Sequence, residues 1–226
     1  MQTAILFDID GTLLDADGAG GRAMEIVLRE DWQLSAASAD VPMHGRTDTA
    51  IVADVLDVSG VTADRTADFR AGYVRRLAET LPAGESRLLP GAAEAVRRTV
   101  ETPDVLAGVL TGNLQAAAEV KLSYHSLADA FDFGAYGDDH TSRDDLARDA
   151  AARLRRDHAI PPHRVWIVGD TTADICCARA AGFRVAAVAT GGSTRIQLAE
   201  SRPDRLLDSL LEFEGVLELV REELSH

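Results

Sequence analysis

The sequence predicts an α/β protein, a parallel sheet covered by helices on both faces, with an all-helical insert after the first strand. Three observations carry this. Five short apolar, β-rich runs occupy residues 3–9, 105–110, 131–136, 164–168 and 184–189. Helical patterns over 114–124, 142–157 and 172–181 separate the later runs, and strand-then-helix alternation builds parallel sheets. Between about residues 15 and 87 no strand pattern occurs, and three helical patterns replace it.

The first run ends in Asp8-Ile9-Asp10-Gly11-Thr12. The carboxyl ends of the strands in an open α/β sheet are where ligands bind. Of two carboxylates placed there, one can attack an electrophile and the other can move protons. An acidic turn is the plain alternative, because Asp and Gly are ordinary turn residues.

The insert contributes helices over 21–32, 48–56 and 63–81, with a turn-rich stretch at 35–46. It is too long for a loop and reads as a lid emerging from the turn that carries Asp8 and Asp10. Pro82-Ala83-Gly84 and Pro90-Gly91 mark the return to the sheet. The expected division is a core of residues 1–14 and 88–226 and a lid of residues 15–87. Gly182 is placed to cap the helix at 172–181, and a last amphipathic helix is expected over 207–224.

Leu110-Thr111-Gly112-Asn113 ends the second run. A hydroxyl and free backbone N–H groups opening a helix form an anion site, with Asn113 also placed to cap that helix. Gly169-Asp170-Thr171-Thr172-Ala173-Asp174 ends the fourth run. Asp170 and Asp174, four apart at a helix start, share a face, and two close carboxylates repel unless a cation lies between them. Capping with favourable dipole placement is the simpler role for Asp174.

Taken together, Asp-x-Asp-Gly-Thr, Thr-Gly-Asn and Gly-Asp-x-x-x-Asp at three strand ends resemble the haloacid dehalogenase (HAD) superfamily of hydrolases. The likeness is to the group similar to phosphoglycolate phosphatases, and it covers essentially the whole chain. It implies a Rossmann-like, HAD-like core with an all-α cap inserted after the first strand. It also implies an aspartyl-phosphate mechanism, with Asp8 as nucleophile and Asp10 as acid and base. Mg²⁺ would be held by Asp8, the Asp10 carbonyl and Asp170, with Asp174 as ligand or support. Thr111 and the Gly112 amide would hold the transferring phosphoryl oxygens. Dehalogenases of the superfamily lack an aspartate at the position of Asp10, so Asp10 points to phosphoryl chemistry.

The family's usual lysine after the third strand is missing from Gly137-Asp138-Asp139-His140-Thr141-Ser142-Arg143. Arg143 is the expected substitute, since a guanidinium clamps phosphate with two bonds. Lys121 is its rival, set back by about two helical turns, roughly 12 Å along the axis. Arg46, in His44-Gly45-Arg46-Thr47-Asp48, and Asn113 are further candidates to contact substrate. Arg22 and the glycines at 18, 20 and 21 are weaker candidates for site and hinge.

The expected activity is Mg²⁺-dependent hydrolysis of a small phosphomonoester of the phosphoglycolate or sugar-phosphate type. A phosphomutase of the same fold and a non-catalytic domain binding a phosphorylated metabolite are the alternatives. A phosphonoacetaldehyde hydrolase is disfavoured, because the insert has no lysine for a Schiff base. A net charge of -14 argues against nucleic acid as partner. No apolar run approaches a transmembrane length, and no signal peptide is apparent, so cytoplasmic residence is the expectation. A small phosphorylated metabolite is the expected partner, for a monomer or homodimer. The adjacent Cys176 and Cys177 read as buried helix residues.

Overall fold

The computed structural model describes residues 2–35 and 41–224. The element order is β1 (Thr3–Phe7), β2 (Leu14–Asp15), α1 (Ala19–Ile26), α2 (Asp48–Val58), α3 (Thr66–Ala83), β3 (Arg87–Leu88), α4 (Ala92–Glu101) and β4 (Val105–Leu110). There follow α5 (Gln115–Tyr124), β5 (Phe133–Ala135), α6 (Arg143–His158), β6 (Val165–Gly169), α7 (Thr172–Ala181), β7 (Arg184–Val188), α8 (Arg195–Glu200), β8 (Arg205–Leu207) and α9 (Glu214–Leu224). A π-helical turn, Val27–Asp31, continues α1.

Six strands form one parallel sheet in the order β5-β4-β1-β6-β7-β8. Successive side chains of a strand face opposite ways. In β1, Ile5 and Phe7 join one apolar cluster while Ala4 and Leu6 join the other. The first cluster includes residues of α4, α5 and α9 and extends through Met24, Phe69 and Leu77 of the insert. The second is built from α6, α7 and α8, including Leu146, Ile175 and Leu198. The insert therefore shares a core with one face of the sheet.

The chain leaves and re-enters the sheet through a two-stranded ribbon, in which β2 pairs antiparallel with β3. Helix α3 packs on α1 and also on α5 of the sheet layer. Residues 36–40, within the expected turn-rich stretch at 35–46, lie outside the described residues.

The sequence reading needs several corrections. Helix α4 was not anticipated, although Ala92, Ala95, Val96 and Thr99 are buried at helical spacing. The expected helix over 207–224 begins only at Glu214, because residues 205–207 pair with β7 as an edge strand. Ser209 then caps a short 3₁₀ turn, and its local hydrogen bond opposes earlier helix formation. Of the cysteine pair, only Cys177 is buried; Cys176 is exposed, as neighbours on a helix diverge by about 100°. Gly182 caps α7 in the left-handed conformation, as expected.

Candidate active site

The strand order sets the site. Asp8 follows β1, Thr111 follows β4 and Asp170 follows β6, and these three strands are neighbours in the sheet. The amide of Asp8 donates to the Val168 carbonyl and that of Thr111 to the Ala135 carbonyl, so the sheet bonding fixes each residue as it exits. All three side chains are buried.

Oxygen atoms of Asp8, Asp170 and Asp174 lie within 4.8 Å of one another. Burial pushes Asp8 up to about 6, with Arg143 pulling it down and Asp174 adding to the rise. Burial, reinforced by Asp174 and Asp8, pushes Asp170 up to about 7. Three carboxylates packed this closely are under mutual repulsion. Hard oxygen donors of this kind suit a divalent cation such as Mg²⁺, which would remove that repulsion.

Asp170 is held by Thr12, whose hydroxyl donates to Oδ1 at 3.1 Å, and by the Gly192 amide, which donates to Oδ2 at 2.5 Å. Gly11 turns the chain beneath it with φ +80°, and a Cβ there would overlap the Asp170 carboxylate. Asp174 has two duties. Its Oδ2 accepts from the Thr171 amide at 2.9 Å in a capping box that starts α7, and its Oδ1 accepts from Arg143. The capping role and the cluster role therefore coexist.

Arg143 is the first residue of α6, where a cation opposes the helix dipole. Buried carboxylates offset this. One guanidinium nitrogen lies 3.3 Å from Asp8 and the other contacts Asp174. Burial alone would lower the arginine's affinity for its proton, but Asp174 and Asp8 raise it above the ordinary value. Cys177, whose thiol donates to the Asp174 carbonyl at 3.3 Å, is pushed up to about 12 by burial. It stays a neutral thiol at physiological pH.

Lys121 also reaches the site. Its Nζ lies 2.5 Å from Asp10 Oδ2 and donates to Asn113 Oδ1 at 2.8 Å. Asn113 Nδ2 donates to the same Asp10 oxygen at 3.0 Å. The sequence estimate had set Lys121 too far away. The helix begins only at Gln115, so the axial offset is roughly 9 Å, and a helical side chain tilts back toward the N-terminus.

Asn113 does not cap α5 with its side chain. Asp48 and Asp138 serve there, accepting from the Leu114 and Gln115 amides at 2.9 and 2.8 Å. Asp48, the first residue of α2 in the insert, was missed as a site residue. In return its own amide donates to the Gly112 carbonyl at 2.6 Å. Gly112 is required at this crossing, because a Cβ would overlap the Arg46 carbonyl oxygen. Burial pushes Asp48 up to about 6, opposed by Lys121, and Tyr73 donates its hydroxyl to the same oxygen at 3.4 Å. Its sequence signal was an acid in the first turn behind the Thr47 cap, and such acids are common at helix starts.

Arg46 lines the cavity, but its guanidinium is engaged by Asp54 at 2.7 Å and by the Pro42 carbonyl at 3.0 Å. The substrate contact expected of it is therefore not made by a free guanidinium. Arg22 pairs with Asp17. Gly18 precedes α1 in the left-handed conformation, while Gly20 and Gly21 lie within the helix and line the cavity. Thr111 Oγ1 accepts from the Asn113 amide at 3.3 Å, leaving its hydroxyl hydrogen available to a ligand. The carboxylates, Thr111, Asn113, Lys121 and Arg143 all border one cavity of about 570 Å³, apart from the more deeply placed Asp174. The insert closes its other side.

The central strand ends of this parallel sheet bring a carboxylate cluster and two cations to one cavity, an arrangement that suits a hydrolase. The chain belongs to the haloacid dehalogenase-like hydrolase family, whose model matches residues 5–188. It is 28% identical to "Probable phosphatase IndB" of Dickeya dadantii (strain 3937), over 95% of this chain and 93% of that protein. It is 26% identical to a phosphoglycolate phosphatase of Synechococcus elongatus, over 97% of this chain and 99% of that protein. A crystal structure of a predicted phosphoglycolate phosphatase from Haemophilus somnus 129PT superposes with a TM-score of 0.76 at 20% identity. It covers 96% of this chain and 98% of that one, and it supports the fold. Among the described residues no helix is long and apolar enough to cross a membrane.

Proposed function

We propose that the protein is a Mg²⁺-dependent phosphatase that hydrolyses a small phosphomonoester through an aspartyl-phosphate on Asp8. One observation carries this reading: Asp8, Asp10, Thr111 and Asp170, after the ends of adjacent strands, and Arg143, at the start of α6, border one cavity. Asp8 attacks phosphorus, and the ester oxygen departs as the alcohol. Asp10 supplies the proton to that oxygen and then takes one from the water that cleaves the aspartyl-phosphate. Lys121 and Asn113 hold Asp10 by Oδ2, and Oδ1 has no hydrogen-bond partner among the described residues. Thr111, the Gly112 amide and Arg143 hold the transferring oxygens.

Asp8, the Asp10 carbonyl and Asp170 would hold Mg²⁺, with Asp174 fixing Arg143 and the start of α7. When bound, the cation offsets charge between nucleophile and substrate. The proposed division places the lid at residues 15–87 between two core segments, 1–14 and 88–226, with the ribbon of β2 and β3 at the junction. The near-full-length phosphatase relatives support the reading.

The test is release of inorganic phosphate from a panel of phosphate esters with and without Mg²⁺. Asp8→Asn should lower turnover by about 10⁴-fold or more. A variant retaining a tenth of wild-type turnover removes Asp8 as nucleophile. Isomerisation of a hexose phosphate without phosphate release would replace the phosphatase by a mutase.

A further inference from the structure

The cavity is asymmetric in charge. On the sheet side, Lys121 contacts Asp10 and Asn113, and Arg143 contacts Asp8 and Asp174, both at the reacting end of the cavity. On the insert side the walls are Met24, Met43, Ile51 and Tyr73, with the Asp48 carboxylate among them. Asp48 is 5% exposed, and the hydrogen bonds it accepts from the Leu114 amide and the Tyr73 hydroxyl both fall on Oδ2. Of the basic residues lining that side, Arg46 is held by Asp54. His44 is exposed, and its Cβ lies 3.5 Å from where a Cβ on Gly192 would sit, on the side of the acidic cluster. Residues 36–40, Ala-Ala-Ser-Ala-Asp, contain no basic side chain.

Resting on the phosphatase reading, we propose that the substrate is the phosphate ester of an uncharged, hydroxyl-bearing alcohol, and that Asp48 selects it. A distal carboxylate or second phosphate would meet no unpaired lysine or arginine among the described residues of the insert-side lining and would face the buried Asp48 carboxylate, a juxtaposition that opposes binding. A distal hydroxyl instead donates to Asp48, and the carbon chain lies on Met24, Met43 and Ile51. The cavity of about 570 Å³ has room for a chain of several carbons beside the phosphoryl group.

Glycerol 3-phosphate and 3-phosphoglycerate test this, since they share three carbons and differ by a hydroxymethyl group in place of a carboxylate. With Mg²⁺ present, kcat/KM should favour glycerol 3-phosphate by about 100-fold. Equal values, or preference for the carboxylate, overturn the proposal. Asp48→Asn, which keeps an acceptor for Leu114, should shrink that ratio by about 10-fold. An unchanged ratio removes Asp48 as the selector. Should the variant not fold, the wild-type ratio still decides the substrate class. If neither compound is turned over, calorimetric binding of the same pair to the wild-type protein decides: tighter glycerol 3-phosphate supports the inference, tighter 3-phosphoglycerate overturns it. Failure of the phosphatase reading shows separately, as no phosphate release from any ester of the wider panel.

Discussion

Lys121 holds Asp10: its ammonium lies 2.5 Å from Asp10 Oδ2, with Asn113 bonded to both. The pair joins the middle of a helix to the loop after the central strand. Lys121 is 3% exposed, and its ammonium is met by Asp10 and Asn113. Arg143 faces the other carboxylate, Asp8, across the cavity wall. The two cations are thus divided between the carboxylates: Lys121 holds Asp10, and Arg143 contacts Asp8 and Asp174.

Lys121→Met should lower kcat by about 10²-fold, with a smaller change in KM, because it loosens Asp10, the group proposed to move protons. Arg143→Lys should raise KM as well, since a point charge replaces a two-pronged clamp. Steady-state kinetics on both variants checks the split. Arg143→Ala is the less informative variant, as it leaves Asp174 buried and unpaired at a cost of about 3–5 kcal/mol.

Asp48 predicts a pH effect on stability. Its folded value is about 6 against an ordinary 3.8, so between those values the folded state binds more protons than the unfolded one. Stability from this group is present below about 4 and is lost as pH rises through 6. Asp48→Asn carries no charge at either pH. Its melting temperature relative to wild type should rise by roughly 3 °C or more between pH 4.5 and 7.5. A constant difference across that range would contradict the buried, partly neutral carboxyl.

Asp170 is the test of the proposed metal dependence. EDTA should stop turnover, and Mg²⁺ should restore it. Asp170→Asn keeps its size and an acceptor for Thr12 or Gly192 but loses charge, so it should weaken Mg²⁺ affinity by at least about 10-fold. Calorimetric titration with Mg²⁺ measures this directly, and affinity equal to wild type would move the cation elsewhere.

The elements and half of the site were legible because their signals are local. Asp8, Thr111 and Asp170 each follow an apolar run of β-forming residues, and the turn that ends a strand is written within a few positions. The helices of the insert carry their own period. Helix α4, beside Pro90-Gly91, carries an equally local signal in the spacing of Ala92, Ala95, Val96 and Thr99. The β8 edge strand was not, since three residues take their conformation from pairing with β7.

By itself, then, the sequence determined the sheet, the helical insert and the three acidic or hydroxylic strand ends, because periodicity and turn chemistry act over neighbouring residues. Only the tertiary structure decided how the charges pair. The side chain of Lys121 returns along its helix to Asp10, and Arg46 is drawn to Asp54. Asp48 crosses from the insert to cap a helix of the sheet layer, releasing Asn113 to bridge Lys121 and Asp10. Such pairings depend on the reach and direction of long side chains across packed elements, and spacing along the chain does not record them.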